Sequence, residues 1–243
     1  MQGPLIRALR SPDRFPRGQH PKTRNHAEAV TCLGESKNMT KTKSSGVPEL
    51  RRLKLKWTGV RPLIMHSARG VDPENTQVRQ KQQLQRKRTK SEDDLLALKR
   101  LDWELGLYWD PELKLYIPSE NIERCIVQGA ATIKKTKAVE GAIEVTESNV
   151  QITSARGEPY PDDLDALYES GRFQFRHVIR IPPRTGSRVM SIRPMIPTGW
   201  QLLFEIEFHT IAQAILEEAI LAATLIGLCD WRPKFGRFVS EIV

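Results

Sequence analysis

A chain of 243 residues, 39% hydrophobic and 28% charged, can bury a domain-sized core while leaving a large polar remainder. Its formal net charge of +9 at pH 7 favours polyanionic partners over acidic small molecules, the alternative being a basic solvated surface. No apolar run reaches the ~20 residues that span a bilayer, and the N-terminus lacks the apolar stretch of a secretory signal, so a cytoplasmic protein with no membrane partner is expected.

Residues 1–49 are rich in Arg, Lys, Ser, Pro, Gly and Asn and nearly free of periodic apolar residues. Such a segment cannot offset its ordering entropy, and it reads as a disordered basic arm. Met39 is an alternative natural start. From Leu50 the chain reads as a single α+β domain. Leu53, Leu55 and Trp57 alternate with Arg52, Lys54 and Lys56, the period of a half-buried strand. Residues 71–90 are polar and end in an acid-free run, "RQKQQLQRKRTK". "SEDDLLALKRLDWELG" then reads as a helix capped by Ser91 and stopped at Gly106.

"LYWDPELKLYIP" suggests a hairpin turning at Asp110-Pro111. Residues 119–135 form the clearest helix, with Ser119 as its cap and Ile122, Ile126, Ala130 and Ile133 at helical spacing. "GAIEVTES" and "NVQITS" are strand-like runs expected to pair with each other, and "PDDLDALYES" is a helical turn. "FQFRHVIRI" and "RVMSIRPMI" flank "PPRTGS" as a long basic hairpin. "WQLLFEIEFHT" (200–210) alternates as a strand. "IAQAILEEAILAATLIGL" is a second long helix ending at Gly227, and "GRFVSEIV" closes the chain as a strand. Reduced to its strongest elements, the order is β-α-β-β-α-β. That is the plan of a ferredoxin-like (RRM-like) core, with an insertion at about residues 68–106 and a basic hairpin.

The sequence holds no GxSxG, no P-loop and no GxGxxG opening a helix, and a non-enzymatic protein without a cofactor is expected. Cys32, Cys125 and Cys229 lie far apart with no CxxC pair, which points away from a zinc ribbon or disulfide framework. The five histidines show no metal-ligand spacing, so no metal site is expected. Asp93 and Asp94, like Asp162, Asp163 and Asp165, sit in runs typical of helix starts. His66 is placed to act as a general base or to bond neighbouring backbone, and Asp72 is a candidate cleavage acid in the next loop.

The cations carry the stronger signal. Arg172, Arg176, Arg180, Arg184, Arg188 and Arg193 are six arginines within 22 residues that contain no acid. The planar guanidinium suits bidentate phosphate contacts and stacking, and these residues read either as a nucleic-acid finger or as a solubilising hairpin. In "DWRPKFGRF", Arg232, Lys234 and Arg237 interleave with Trp231, Phe235 and Phe238. That pattern can hold phosphates and stack unpaired bases, with Gly236 permitting close approach of backbone to ligand. The alternative is a packed helix-to-strand connection with Trp231 as a lid on the core.

Two stretches resemble the repeat-associated RAMP superfamily, which includes backbone subunits of CRISPR effector complexes. "IPSENIERCIVQGA" (117–130) is similar to that family's proline-introduced helix, with Ser119-Glu120-Asn121 where Gly-Ser-Ser is usual. "GLCDWRPKFGRF" is similar to its C-terminal glycine-rich loop, ending in Phe235-Gly236-Arg237-Phe238 and retaining only Gly227 and Gly236. "KWTGVRPLIMHS" stands where the family's first strand and following loop lie. The resemblance implies a modified RRM-like core that binds RNA, self-associates along its ligand and partners other effector subunits. A stand-alone phage or prophage relative fits equally.

Three functions therefore stand as expectations. The first is a binding protein for single-stranded nucleic acid, RNA favoured, using Lys54, Lys56, the hairpin arginines and the terminal loop. The second is a phage or mobile-element assembly protein whose charge is incidental. The third is a RAMP-type nuclease working through His66 or Asp72.

Overall fold

The structure is a computed structural model, and it describes residues 49–157, 159–180 and 188–243; side chains at 179, 180, 188 and 189 are excluded. The expected N-terminal arm and Cys32 lie outside the described residues.

The alternation at the start of the domain yields β1 (Arg51–Gly59), whose Leu53, Leu55 and Trp57 point into the core. After β2 (Leu63–Ile64) and a 3₁₀ turn, Ala68–Val71, comes α1 (Thr76–Arg86). The sequence gives little sign of this helix. It has one buried apolar residue, Val78, and only its Asn75 cap, which accepts the backbone N–H groups of Gln77 and Val78, marks the start. In α2 (Glu92–Gly106), Ser91 and Asp94 cap reciprocally and Leu101, Trp103 and Leu105 are buried. The Asp93–Asp94 pair is thus a helix start, and Asp163 has the same role ahead of a short helix below.

β3 (Trp109–Asp110) and β4 (Lys114–Pro118) form the expected hairpin. α3 (Ser119–Thr132) follows, with Pro118 rather than Ser119 at its cap. Ser119 is already helical, and its N–H donates to the Ser148 carbonyl at 2.9 Å. The short α4 (Thr136–Val139) leads into β5 (Ile143–Val145), β6 (Asn149–Gln151), β7 (Thr153–Ser154) and α5 (Leu164–Glu169). β8 (Gln174–Arg180) and β9 (Arg188–Ile196) pair antiparallel as the expected hairpin. Then come β10 (Trp200–Phe208), α6 (Gln213–Ile226) and β11 (Phe238–Ile242).

One pairing differs from expectation. β5 and β6 do not pair with each other: β5 joins β10 and β6 joins β4. Each strand is three residues long, so partner choice is set by the core positions of Val145 and Val150 rather than by the turn between them.

The main sheet runs β11-β1-β10-β5 with every pair antiparallel, and β7 pairs with the far end of β10. The registers Leu53↔Ile206, Leu55↔Phe204 and Trp57↔Leu202 put the large apolar residues on one face. α3 and α6 cover that face, contributing Ile122, Ile126, Leu216 and Ile220 to the same core. The protein is therefore of mixed α+β class. Trp57 stacks on Phe238 at 4.0 Å, fixing β11 beside β1.

The opposite sheet face is polar, as alternation requires. Arg52 pairs with Glu207 at 2.6 Å and Glu205 at 3.5 Å, and Lys56 pairs with Glu241 at 3.2 Å. Among the described residues no helix is long and apolar enough to cross a membrane.

Candidate nucleic-acid interface

The segment after α6 is held by backbone hydrogen bonds and by the buried side chains of Leu228 and Phe235. Gly227 ends the helix at φ +90° and Gly236 sits at φ +73°. Leu228 N–H donates to the Gly236 carbonyl at 2.9 Å, and Gly236 N–H donates to the Pro62 carbonyl at 2.8 Å. Asp230 N–H reaches the Ile64 carbonyl at 3.0 Å, and the Arg237 carbonyl accepts from Val60 and Arg61. A methyl group on Gly236 would overlap the backbone of Leu228. Glycine is thus required here by φ and by a backbone crossing inside the loop.

This lacing turns the loop's outer residues toward the hairpin. Trp231 is 38% exposed, so it is not a lid on the core. Its ring meets His177 edge-on at 4.2 Å and Phe175 at 5.6 Å, while Phe235, largely buried, meets Phe175 at 5.1 Å. Phe175 and His177 alternate on one face of β8 and stack on each other at 5.3 Å. The register places Arg193 opposite Phe175; burial, and after it the Arg193 cation, lowers the pKa of both His66 and His177. The two segments singled out in the sequence therefore meet, and they do so through a four-membered aromatic cluster with cations at its rim.

The loop cations differ in freedom. Arg232 donates to the Gln128 side chain on α3, and Arg237 Nε donates to the Leu225 carbonyl at 3.2 Å, closing the C-terminal end of α6. Lys234 is exposed and lies over the Phe235 ring at 5.6 Å. A groove of about 630 Å³ runs beside the loop, lined by Gln128, Leu225, Trp231, Arg232 and Arg237 among others.

Not every expected residue joins this cluster. Arg176 pairs with Ile192 on the other face of the hairpin, its guanidinium on Gln174 at 2.9 Å and 3.2 Å. Arg172 is exposed in the turn before β8. Arg184 lies outside the described residues, and only the backbones of Arg180 and Arg188, paired with each other, are described. Lys54 and Lys56 stand on the open sheet face among carboxylates.

Behind Trp231 lies a second group. Asp230 Oδ1 accepts the Trp231 N–H at 2.9 Å, and its Oδ2 faces His66 Nδ1 at 3.6 Å. Tyr108 Oη donates to the His66 carbonyl at 3.2 Å. His66 thus stands beside a carboxylate contributed from 164 positions downstream, a pairing no local pattern could disclose. Asp72 instead closes a turn by accepting the Glu74 N–H at 2.9 Å. Among the described residues no three metal-ligating side chains converge.

No family model matches the chain, and no curated protein matches it. Among solved structures it is similar to a chain in the cryo-EM structure of the Type III-B Cmr-beta bound to cognate target RNA, at 10% identity and a TM-score of 0.47. The match covers 80% of this chain and 61% of that chain.

Proposed function

We propose that this protein binds single-stranded nucleic acid, RNA in preference, on the platform formed by Trp231, His177, Phe175 and Phe235. The observation that carries the reading is the exposure of Trp231 at the meeting of two cation-bearing segments. An indole held by its own loop backbone can offer its free face to a base without unfolding anything. Lys234, Arg232 and Arg193 stand around it to meet phosphates, as charge-assisted recognition requires. Arg193, Arg232 and Lys234 have no ion pair among the described residues, whereas the open sheet face balances its cations with Glu205, Glu207 and Glu241.

The reading extends to the fold and its use. The antiparallel order β11-β1-β10-β5, joined through α3 and α6, supports reading the core as ferredoxin-like. Residues 68–106 form its insertion. The protein acts in the cytoplasm as a non-enzymatic binder, several copies lining one strand in the manner of backbone subunits of effector complexes.

The test is fluorescence anisotropy with a labelled uridine oligonucleotide. Trp231→Ala should weaken binding by about 1–3 kcal/mol per stacked base while the melting temperature stays near wild type. Unchanged affinity in a folded Trp231→Ala protein would remove the platform from the account. Stable multimers that bind no strand would favour an assembly protein instead.

A further inference from the structure

The recess behind Trp231 differs in chemistry from the platform in front of it. It measures about 160 Å³ and is lined by His66, Tyr108, Asn121, Cys229 and Asp230. A carboxylate on its wall opposes phosphate, which needs donors and positive charge. A neutral hydroxyl has the opposite needs. It donates one proton and accepts through two lone pairs, and the recess holds acceptors in Asp230 and Tyr108 and a donor in the Asn121 amide. Asp230 Oδ2 stands 3.6 Å from His66 Nδ1, too far for a hydrogen bond between them, so the carboxylate keeps acceptor capacity for a donor approaching from the recess. Tyr108 Oη donates to the His66 carbonyl and has the Asn121 side chain as a hydrogen-bond partner, which leaves one of its lone pairs open.

The recess and the platform share one residue step, since Asp230 Oδ1 holds the N–H of Trp231 itself. A base on the indole would carry its sugar next to that step. We infer that this recess reads the ribose 2′-hydroxyl of the nucleotide stacked on Trp231, with Asp230 as its acceptor. The inference rests on the binding function proposed above and assigns its preference for RNA to named residues.

The experiment compares labelled uridine, 2′-deoxyuridine and 2′-O-methyluridine oligomers of one length at one salt concentration. Wild type should bind the uridine oligomer on the order of tenfold more tightly than the other two, the loss of one hydrogen bond to a charged group. Asp230→Asn keeps an oxygen for the Trp231 N–H but removes the charge, and Tyr108→Phe removes only the hydroxyl. Each should bring the ribose-to-deoxyribose ratio toward one by weakening the uridine oligomer alone. A wild-type ratio of one, or a ratio that both folded variants retain, overturns the inference while leaving the platform intact. Failure of wild type to bind any of the three oligomers overturns the binding function, and the inference with it.

Discussion

Gly129 lacks a side chain because the backbone of α6 occupies the place one would take. A methyl there would overlap the Ala219 carbonyl and crowd Ala223. Gly129→Ala should destabilise the fold by roughly 1–3 kcal/mol as an overpacked core position, read as a lower urea midpoint with an unchanged m-value. The two histidines near the loop give a pH signature. Burial first, and then the Arg193 cation, holds His66 below its ordinary 6.5, with Asp230 pulling the other way; burial and Arg193 do the same to His177. Around them stand Tyr108, Cys229, Asp230 and Arg193. As pH falls, the unfolded chain therefore takes up protons before the native one does. Stability contributed by the neutral imidazoles is full above 6.5 and declines as pH drops through it toward the depressed native values. Urea midpoints measured from pH 7.5 down to 5 should fall, and His66→Gln with His177→Gln should flatten that fall.

Elements were legible in proportion to how far local chemistry decided them. α2 announced itself through Ser91, its acidic first turn and Gly106, and the capping box is present. Ser91→Ala should cost ~1 kcal/mol, visible as a lower melting temperature. α1 was not legible, because a helix with one buried residue is held by its cap and by polar ties such as Lys81 to Asp102 at 2.6 Å. β5 and β6 were legible as strands but not as partners of β10 and β4, since three-residue strands take their partners from the core already formed. The site was half legible. The residue types of the hairpin and loop were evident, while the join between Phe175, His177 and Trp231 depends on tertiary register. No local pattern sets Asp230 apart, and its place beside His66 follows from the bond between its N–H and the Ile64 carbonyl.

Within the described domain, two regions handle their cations differently. The sheet's open face ties Arg52 and Lys56 to three glutamates, whereas the loop–hairpin junction concentrates its cations around aromatic rings. Arg232→Ala with Lys234→Ala should weaken binding to single strands and flatten the slope of log K against log salt by roughly 0.7 for each phosphate no longer neutralised. Lys54→Ala with Lys56→Ala should change the slope less. A larger change from the sheet lysines would move the binding surface onto the open face.

The lacing of residues 228–237 to residues 60–64 also has a consequence in time. The interface is built from the first strand's exit, a mid-chain hairpin and the segment leading into β11. Such long-range closure is entropically costly and comes late in folding. During synthesis, a ribosome-bound chain that has not yet released residues through β11 holds its basic hairpin without the indole that completes the platform. In the binding role proposed above, the surface would then be complete only once residues 228–237 have laced onto residues 60–64.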